Sequence, residues 1–229
     1  MREIVLDTET TGLDPEQGHR IVEIGCVELE NHVPTGRTFQ EYLNPEREMG
    51  EDVIAVHGIT NEFVKDKPKF KEIAEKFLAF IGDDSKLVIH NAAFDMKFLN
   101  AELTACGYSA LSYDRVVDTL ILARQKFPGS RVNLNELCKR FNVDASARTV
   151  HGALLDSELL AEVYLELIGG REPGLILGVQ KQSRHIVQVE NTPQERTYHE
   201  PRSFPASSDE IQAHTEFMKK IPDNLWGIT

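Results

Sequence analysis

Asp7 and Glu9 close a short apolar run, Ile4-Val5-Leu6-Asp7-Thr8-Glu9, within the first ten residues of a 229-residue chain. Side chains of a β-strand alternate with period two, so carboxylates at i and i+2 leave the same face of a sheet. Two like charges held that closely raise each other's pKa unless a cation sits between them. An Asp-x-Glu pair at the end of a buried first strand is therefore a seat for a hard divalent cation, Mg²⁺ or Mn²⁺; the plain alternative is a solvated strand end. Two later segments carry groups of the same kind. His90-Asn91-Ala92-Ala93-Phe94-Asp95 follows the apolar run Leu87-Val88-Ile89, and His151-Gly152-Ala153-Leu154-Leu155-Asp156 opens a later helix. At ~100° per residue, His151 and Asp156 stand ~140° off a common helix face. The spacing thus puts His151 on the loop before the helix, with Gly152 easing the turn, and Asp156 in the first turns. A loop histidine with an ordinary pKa of ~6.5 suits a base near neutral pH.

The elements that must position these groups read as a mixed α/β domain. Residues 2–8, 20–29 and 36–43 are rich in Val, Ile, Leu and aromatics and are separated by turn-forming stretches, which predicts three strands in an antiparallel meander. The period then changes. Phe70, Ile73, Ala74, Phe77, Leu78 and Ile81 mark an amphipathic helix ended by Gly82. Residues 87–89 make a short buried strand, with Asn91 expected to cap the next helix. Residues 115–117 make the last strand, followed by a helix capped by Asp118, another over about 134–141, and a final one carrying Leu154 to Leu167. Strands followed by helix–strand alternation give a sheet with helices on its faces.

Composition excludes several classes. There is no basic start leading into an apolar stretch and no run of membrane-spanning length, so neither a signal peptide nor a span is expected. The isolated Cys26, Cys106 and Cys138 read as reduced, buried thiols of a cytoplasmic protein. The net charge is −12, most of it in residues 1–169, which hold 18 Lys+Arg against 29 Asp+Glu. Such acidity argues against a strong autonomous nucleic-acid binder, though not against a nuclease that a partner delivers to its substrate. No glycine fingerprint for nucleotides and no nucleophile elbow appears.

Four stretches, 4–12 (IVLDTETTG), 56–59 (VHGI), 88–98 (VIHNAAFDMKF) and 151–156 (HGALLD), stand in one order. Together they resemble the DEDDh 3′→5′ exonucleases, and within them the proofreading subunits of bacterial replicative DNA polymerases. The resemblance covers residues 1–170. It implies an RNase H-like fold with a mixed five-stranded sheet flanked by helices. It also implies two divalent cations, with Asp7 bridging them, Glu9 and Asp156 completing one, and Asp95 supporting the second. One ion would activate water, both would steady the attacking and leaving oxygens, and His151 would act as general base, releasing nucleoside 5′-monophosphates. By the same resemblance His57 and His90 line the nucleotide site, and Phe94, partly core, packs on the terminal base. Thr8, Thr10 and Gly12 let the backbone after the first strand approach a phosphate or sugar. His19, His32, His185, His199 and His214 receive no role. Asp14, Glu23, Glu28 and Asp118 read as caps or solvated acids.

Beyond Gly170 the character shifts: five of the ten prolines fall in residues 171–229. Residues 171–206 read as a linker and 207–229 as a partner-binding tail. Ser207 and Glu210 have capping-box spacing. Ile211, His214, Phe217, Met218 and Ile221 follow at helical intervals, and Leu225 and Trp226 add apolar anchors. The resemblance makes the partner the polymerase (alpha) subunit, with a small third core subunit beside it. Contact with the sliding clamp is expected to be weak, because Glu172 stands before Leu175 and Leu177 where the family has glutamine and cannot offer an amide's donors. Two rivals remain: an RNA 3′-end-trimming exonuclease of the same fold, and a non-catalytic polymerase-stabilising scaffold. The carboxylates do not separate DNA from RNA, since the surroundings of the 2′-hydroxyl decide that. The tail favours the proofreader, and the presence of all five catalytic residues counts against a pure scaffold.

Overall fold

The computed structural model describes residues 1–148, 150–170 and 205–220. Among them a five-stranded sheet runs in the order β3-β2-β1-β4-β5, with β1 (Arg2–Thr10) at its centre. β2 (Ile21–Glu30) pairs antiparallel with β1, and β3 (Val33–Tyr42) antiparallel with β2. Asn31 and His32, both at positive φ, form the two-residue turn that joins β2 to β3. β4 (Lys86–Ile89) and β5 (Val116–Asp118) then add in parallel on the other side of β1. The expected meander and mixed sheet are therefore present.

Between β3 and β4 lie α1 (Glu51–His57), α2 (Asn61–Val64) and α3 (Phe70–Ile81). α1 and α2 carry no apolar stripe long enough to announce them. α3 buries Phe70, Ile73, Ala74, Phe77 and Ile81 as its periodicity predicts. α4 (Ala92–Ala105) follows β4, α5 (Thr119–Lys126) follows β5, and α6 (Leu134–Phe141) and α7 (Ala153–Leu167) close the domain. β1 separates two cores by its alternation. Ile4 and Leu6 join Phe70, Phe77 and Phe98 on one face, while Val5 joins Leu160, Ala161 and Tyr164 on the other. By the same period Thr8 belongs to the α3/α4 face, and Asp7 and Glu9 to the α7 face.

Gly25 fixes how closely α7 approaches. A Cβ on it would lie 2.2 Å from backbone atoms of Ala153 and Leu154. Ser157 Oγ donates to the Gly25 carbonyl at 3.0 Å. Glu23 accepts from the Ala153 amide at 3.0 Å, which satisfies a donor at the start of α7. Glu23 and Glu28 are thus not solvated acids. Both are buried; Glu23 also holds Gln40, and Glu28 pairs with Arg2 and Arg37. Asp14 does act as a cap, accepting from Glu16, and pairs with Lys97.

No described helix is long and apolar enough to cross a membrane. The three cysteines are unpaired; Cys26 and Cys138 are buried, whereas Cys106 is only half-buried. α8 (Ser208–Met218) belongs to a second unit of the chain and begins with the expected capping box between Ser207 and Glu210. Its Ile211 and Phe217 are exposed. Leu225, Trp226, Glu172, Leu175 and Leu177, and nearly all of the segment read as a linker, lie outside the described residues.

Candidate active site

A cleft of about 600 Å³ opens over the end of β1, lined by Asp7, Glu9, Asp95, His151 and Asp156 together with His90, Asn135 and Arg148. All five residues singled out for chemistry therefore meet there, from three separate segments. Asp7 and Glu9 leave β1 on the α7 side, and Asp156 comes down onto them from the first turn of α7. His151 precedes the Gly152 N-cap, as the five-residue spacing requires, and its amide is held by the Val56 carbonyl at 3.1 Å. Glu9, His151 and Asp156 each offer a donor atom within 4.8 Å of the others, a separation one cation can bridge.

Asp95 arrives from α4 and is held by Thr8, whose amide and hydroxyl both donate to Oδ1, at 3.0 and 2.7 Å. Thr8 is thus occupied with orienting a carboxylate through its amide and hydroxyl, and it lines both this cleft and the one beside it. Thr10 Oγ1 donates to the Gly12 carbonyl at 2.6 Å and stiffens the turn. Gly12 makes room for the protein's own His19: a Cβ there would lie 2.3 Å from that ring. His19, given no role from sequence, in turn bonds Thr11 Oγ1 at 3.1 Å and lines a second, adjoining cleft of about 830 Å³.

That second cleft also receives His57, Leu13, Val56 and Phe94. His57 lies at the end of helix α1, capped by Gly58 in the left-handed region, and not in a loop. Its Nδ1 accepts from the Ile59 amide at 3.0 Å, which leaves the proton on Nε2, and Nε2 has no well-aligned partner among the described residues. Phe94 lines both clefts and packs on Phe98 with centroids 5.0 Å apart, so it is partly core as read from sequence. His90 Nδ1 pairs with Thr119 Oγ1 at 2.9 Å. Asn91 does not cap α4 with its side chain. It sits at φ 69°, and Asp118 instead accepts from the amides of Asn91 and Ala92 while capping α5 through Leu120.

The electrostatics test whether the cluster suits a cation. Burial, then Asp156 and Glu23, push Glu9 up to about 8. Burial pushes Asp95 up to about 7 despite the two bonds from Thr8. Asp7 is raised by burial and by Asp95, Glu9 and Asp156. Asp156 is the exception. Burial acts to raise it, but the hydrogen bonds and charge of Arg148 outweigh burial and hold it below the ordinary carboxylate range. Three carboxylates that resist ionising, set beside a fourth that stays charged, fit a divalent cation far better than they fit one another.

Sequence reading missed Arg148. Its guanidinium forks onto both oxygens of Asp156, and Nη2 reaches His151 Nδ1 at 2.8 Å. The available signal was an arginine three residues before the histidine of HGALLD. Gly25, His19 and Asn135 were also missed; Gly25 and Asn135 act through contacts with α7 and Arg148 that no local pattern marks.

The model of the family described as Exonuclease matches residues 4–164. A protein of Rickettsia felis, DNA polymerase III subunit epsilon, is 51% identical over 227 residues, covering 96% of this chain and 97% of its own. The protein of that name from Escherichia coli is 46% identical over 177 residues, covering 74% of this chain and 72% of its own. Among solved structures, the nuclease domain of 3′hExo, a DEDDh family member bound to rAMP, superimposes with a TM-score of 0.62 at 22% identity, covering 74% of this chain and 92% of that one.

Proposed function

This chain belongs to the exonuclease family, and we propose that within it the protein is the proofreading 3′→5′ exonuclease of DNA polymerase III, removing mispaired 3′-terminal nucleotides as nucleoside 5′-monophosphates. The observation that carries the chemistry is the meeting of Asp7, Glu9, Asp95 and Asp156 in one cleft beside His151. The extension to proofreading rests on the relatives named epsilon, which match nearly the whole chain.

Asp7, Glu9, Asp95 and Asp156 would hold two divalent cations, Mg²⁺ or Mn²⁺. Bound there, such ions supply an activated water and charge neutralisation at the scissile phosphate. His151, half-exposed on its loop, takes the proton of the attacking water. Thr8 keeps Asp95 aimed into the site. The adjoining cleft takes the terminal nucleotide: Phe94 offers a ring for the base, and His57 forms part of the wall beside it. His90, pinned by Thr119, walls the cleft that holds the carboxylates. Nothing in this arrangement reads a base edge, so selection of a mispaired end falls to the lower cost of unpairing it.

The domain proposed is 1–170, joined through a linker to a tail of 207–229 that binds the polymerase (alpha) subunit in the cytoplasm. The capping box of α8 and the exposed Ile211 and Phe217 support a helix that lays an apolar side on a partner.

The test uses purified full-length protein on 5′-labelled DNA and RNA oligomers of one sequence, with a mispaired DNA primer among them and divalent metal present or chelated. Metal-dependent shortening from the 3′ end, fastest on the mispaired primer and absent in Asp7→Ala, is expected. Preference for RNA turns the reading to 3′-end trimming. No cleavage by folded protein that binds metal leaves the scaffold.

A further inference from the structure

The site already contains a cation. Arg148 lies on the irregular connection between α6 and α7, yet its side chain is only 6% exposed. Every nitrogen of the guanidinium has a partner. Nε donates to Asp156 Oδ1, Nη2 to Asp156 Oδ2 at 2.6 Å and to His151 Nδ1 at 2.8 Å, and Nη1 to Asn135 Oδ1 at 2.5 Å. A planar fork on a carboxylate is the strongest geometry an arginine can adopt, and burial strengthens it further. The arrangement occupies both oxygens of Asp156 and the Nδ1 lone pair of His151 at once.

We propose that Arg148 is a resident counter-ion that holds Asp156 and His151 in the metal-free site and competes with the divalent cation for Asp156. A guanidinium lodged on both oxygens and a divalent ion on the same oxygens repel at contact distance. Binding of the ion therefore requires the fork to open. Because Arg148 sits on a connection, its side chain swings away without breaking a helix or strand ladder. Release of Arg148 frees His151 Nδ1 in the same movement, so the base and the metal ligand are unlocked together. Two divalent cations balance four carboxylates without the arginine, which leaves the guanidinium beside the place where the substrate's phosphate enters. Arg148 is in this sense a positioning residue whose pairing keeps a self-repelling cluster folded until metal arrives.

This inference rests on Asp156 being a metal ligand, and the experiment separates the two. Mn²⁺ binding to metal-stripped, full-length protein is measured by titration calorimetry for the wild type, Arg148→Gln, Arg148→Lys and Asp156→Asn, with melting curves in chelator and in Mn²⁺. Arg148→Gln is expected to bind Mn²⁺ about tenfold more tightly, since its competitor is gone. Its melting temperature should fall in chelator by more than it falls in Mn²⁺. Arg148→Lys, which keeps charge but loses the fork, should also bind Mn²⁺ more tightly than the wild type, by a smaller factor. If Arg148→Gln does not fold, the lysine variant decides alone. Unchanged or weaker Mn²⁺ binding in the arginine variants, with binding reduced in Asp156→Asn, overturns the counter-ion and leaves the metal site standing. Binding that Asp156→Asn does not weaken overturns both.

Discussion

Gly25 stands directly opposite Asp7 in the β1–β2 ladder, and the first turn of α7 rests on its bare Cα. The absence of one methyl group thus sets the distance between Asp7 and Asp156, which belong to segments nearly 150 residues apart in sequence. Backbone cannot yield as a flexible side-chain tip can. A Cβ 2.2 Å from the Ala153 carbonyl carbon must therefore push α7 outward. Gly25→Ala is expected to lose about 1–3 kcal/mol of stability, the usual range for overpacking. Exonuclease activity should drop about a hundredfold, because displacements of ~1 Å at a reacting centre cost that much. Urea denaturation and a 3′-end assay check both; an active, fully stable variant would show that α7 is not seated by this contact.

Thr8→Val keeps the shape of the residue and its amide but removes the hydroxyl from Asp95. Groups that orient metal-ligating carboxylates are worth about 10–100-fold in activity or metal affinity. A tenfold loss that Thr8→Ser restores is expected in the exonuclease assay. Equal activity of the valine variant would mean that the amide alone, at 3.0 Å, suffices.

Asp7 shares its desolvated surroundings with Glu9, Asp95 and Asp156. Asp7→Asn should abolish cleavage and yet raise the melting temperature of the metal-free protein, because one of four mutually repelling carboxylates is gone. For a domain of this size ~1 kcal/mol corresponds to ~2–4 °C. A thermal scan in chelator reads the effect directly. A lower melting point than the wild type would show that the cluster is not under repulsive strain.

His90 is held below its ordinary pKa by burial, against the pull of Asp118. The folded state therefore binds a proton less readily than the unfolded chain, whose histidines titrate near 6.5. Its contribution to stability is full above about 6.5 and is lost as pH falls from there through the lower folded value. His90→Gln should flatten the decline in urea midpoint between about pH 7.5 and pH 5.5. The flattening should be partial, since His57 is depressed by burial too. An unaltered pH slope would assign the acid sensitivity elsewhere.

Local pattern exposed most of the frame. The apolar period of 70–81, the capping residue Asp118, and the alternation through Val5, Asp7 and Glu9 all reappear as elements with those faces. The five-residue offset between His151 and Asp156 located one on a loop and the other on α7, because helical geometry forbids anything else. Where the reading failed, the determining contact was distant. Asn91 looks like a cap until Asp118 is seen to supply the hydrogen bonds. Glu28 looks like a cap or a solvated acid until Arg2 and Arg37 close over it.

The sequence by itself determined which groups do the chemistry and on what kind of element each stands, because residue type and a short-range period are local properties. Only the tertiary structure decided how those groups are charged and held. Burial and mutual approach raise Asp7, Glu9 and Asp95, whereas Arg148 keeps Asp156 ionised, and Gly25 sets how near α7 comes. Desolvation, Coulomb repulsion and hard-core contact all depend on distances through space, and those distances exist only once β1, β2, α4 and α7 have packed.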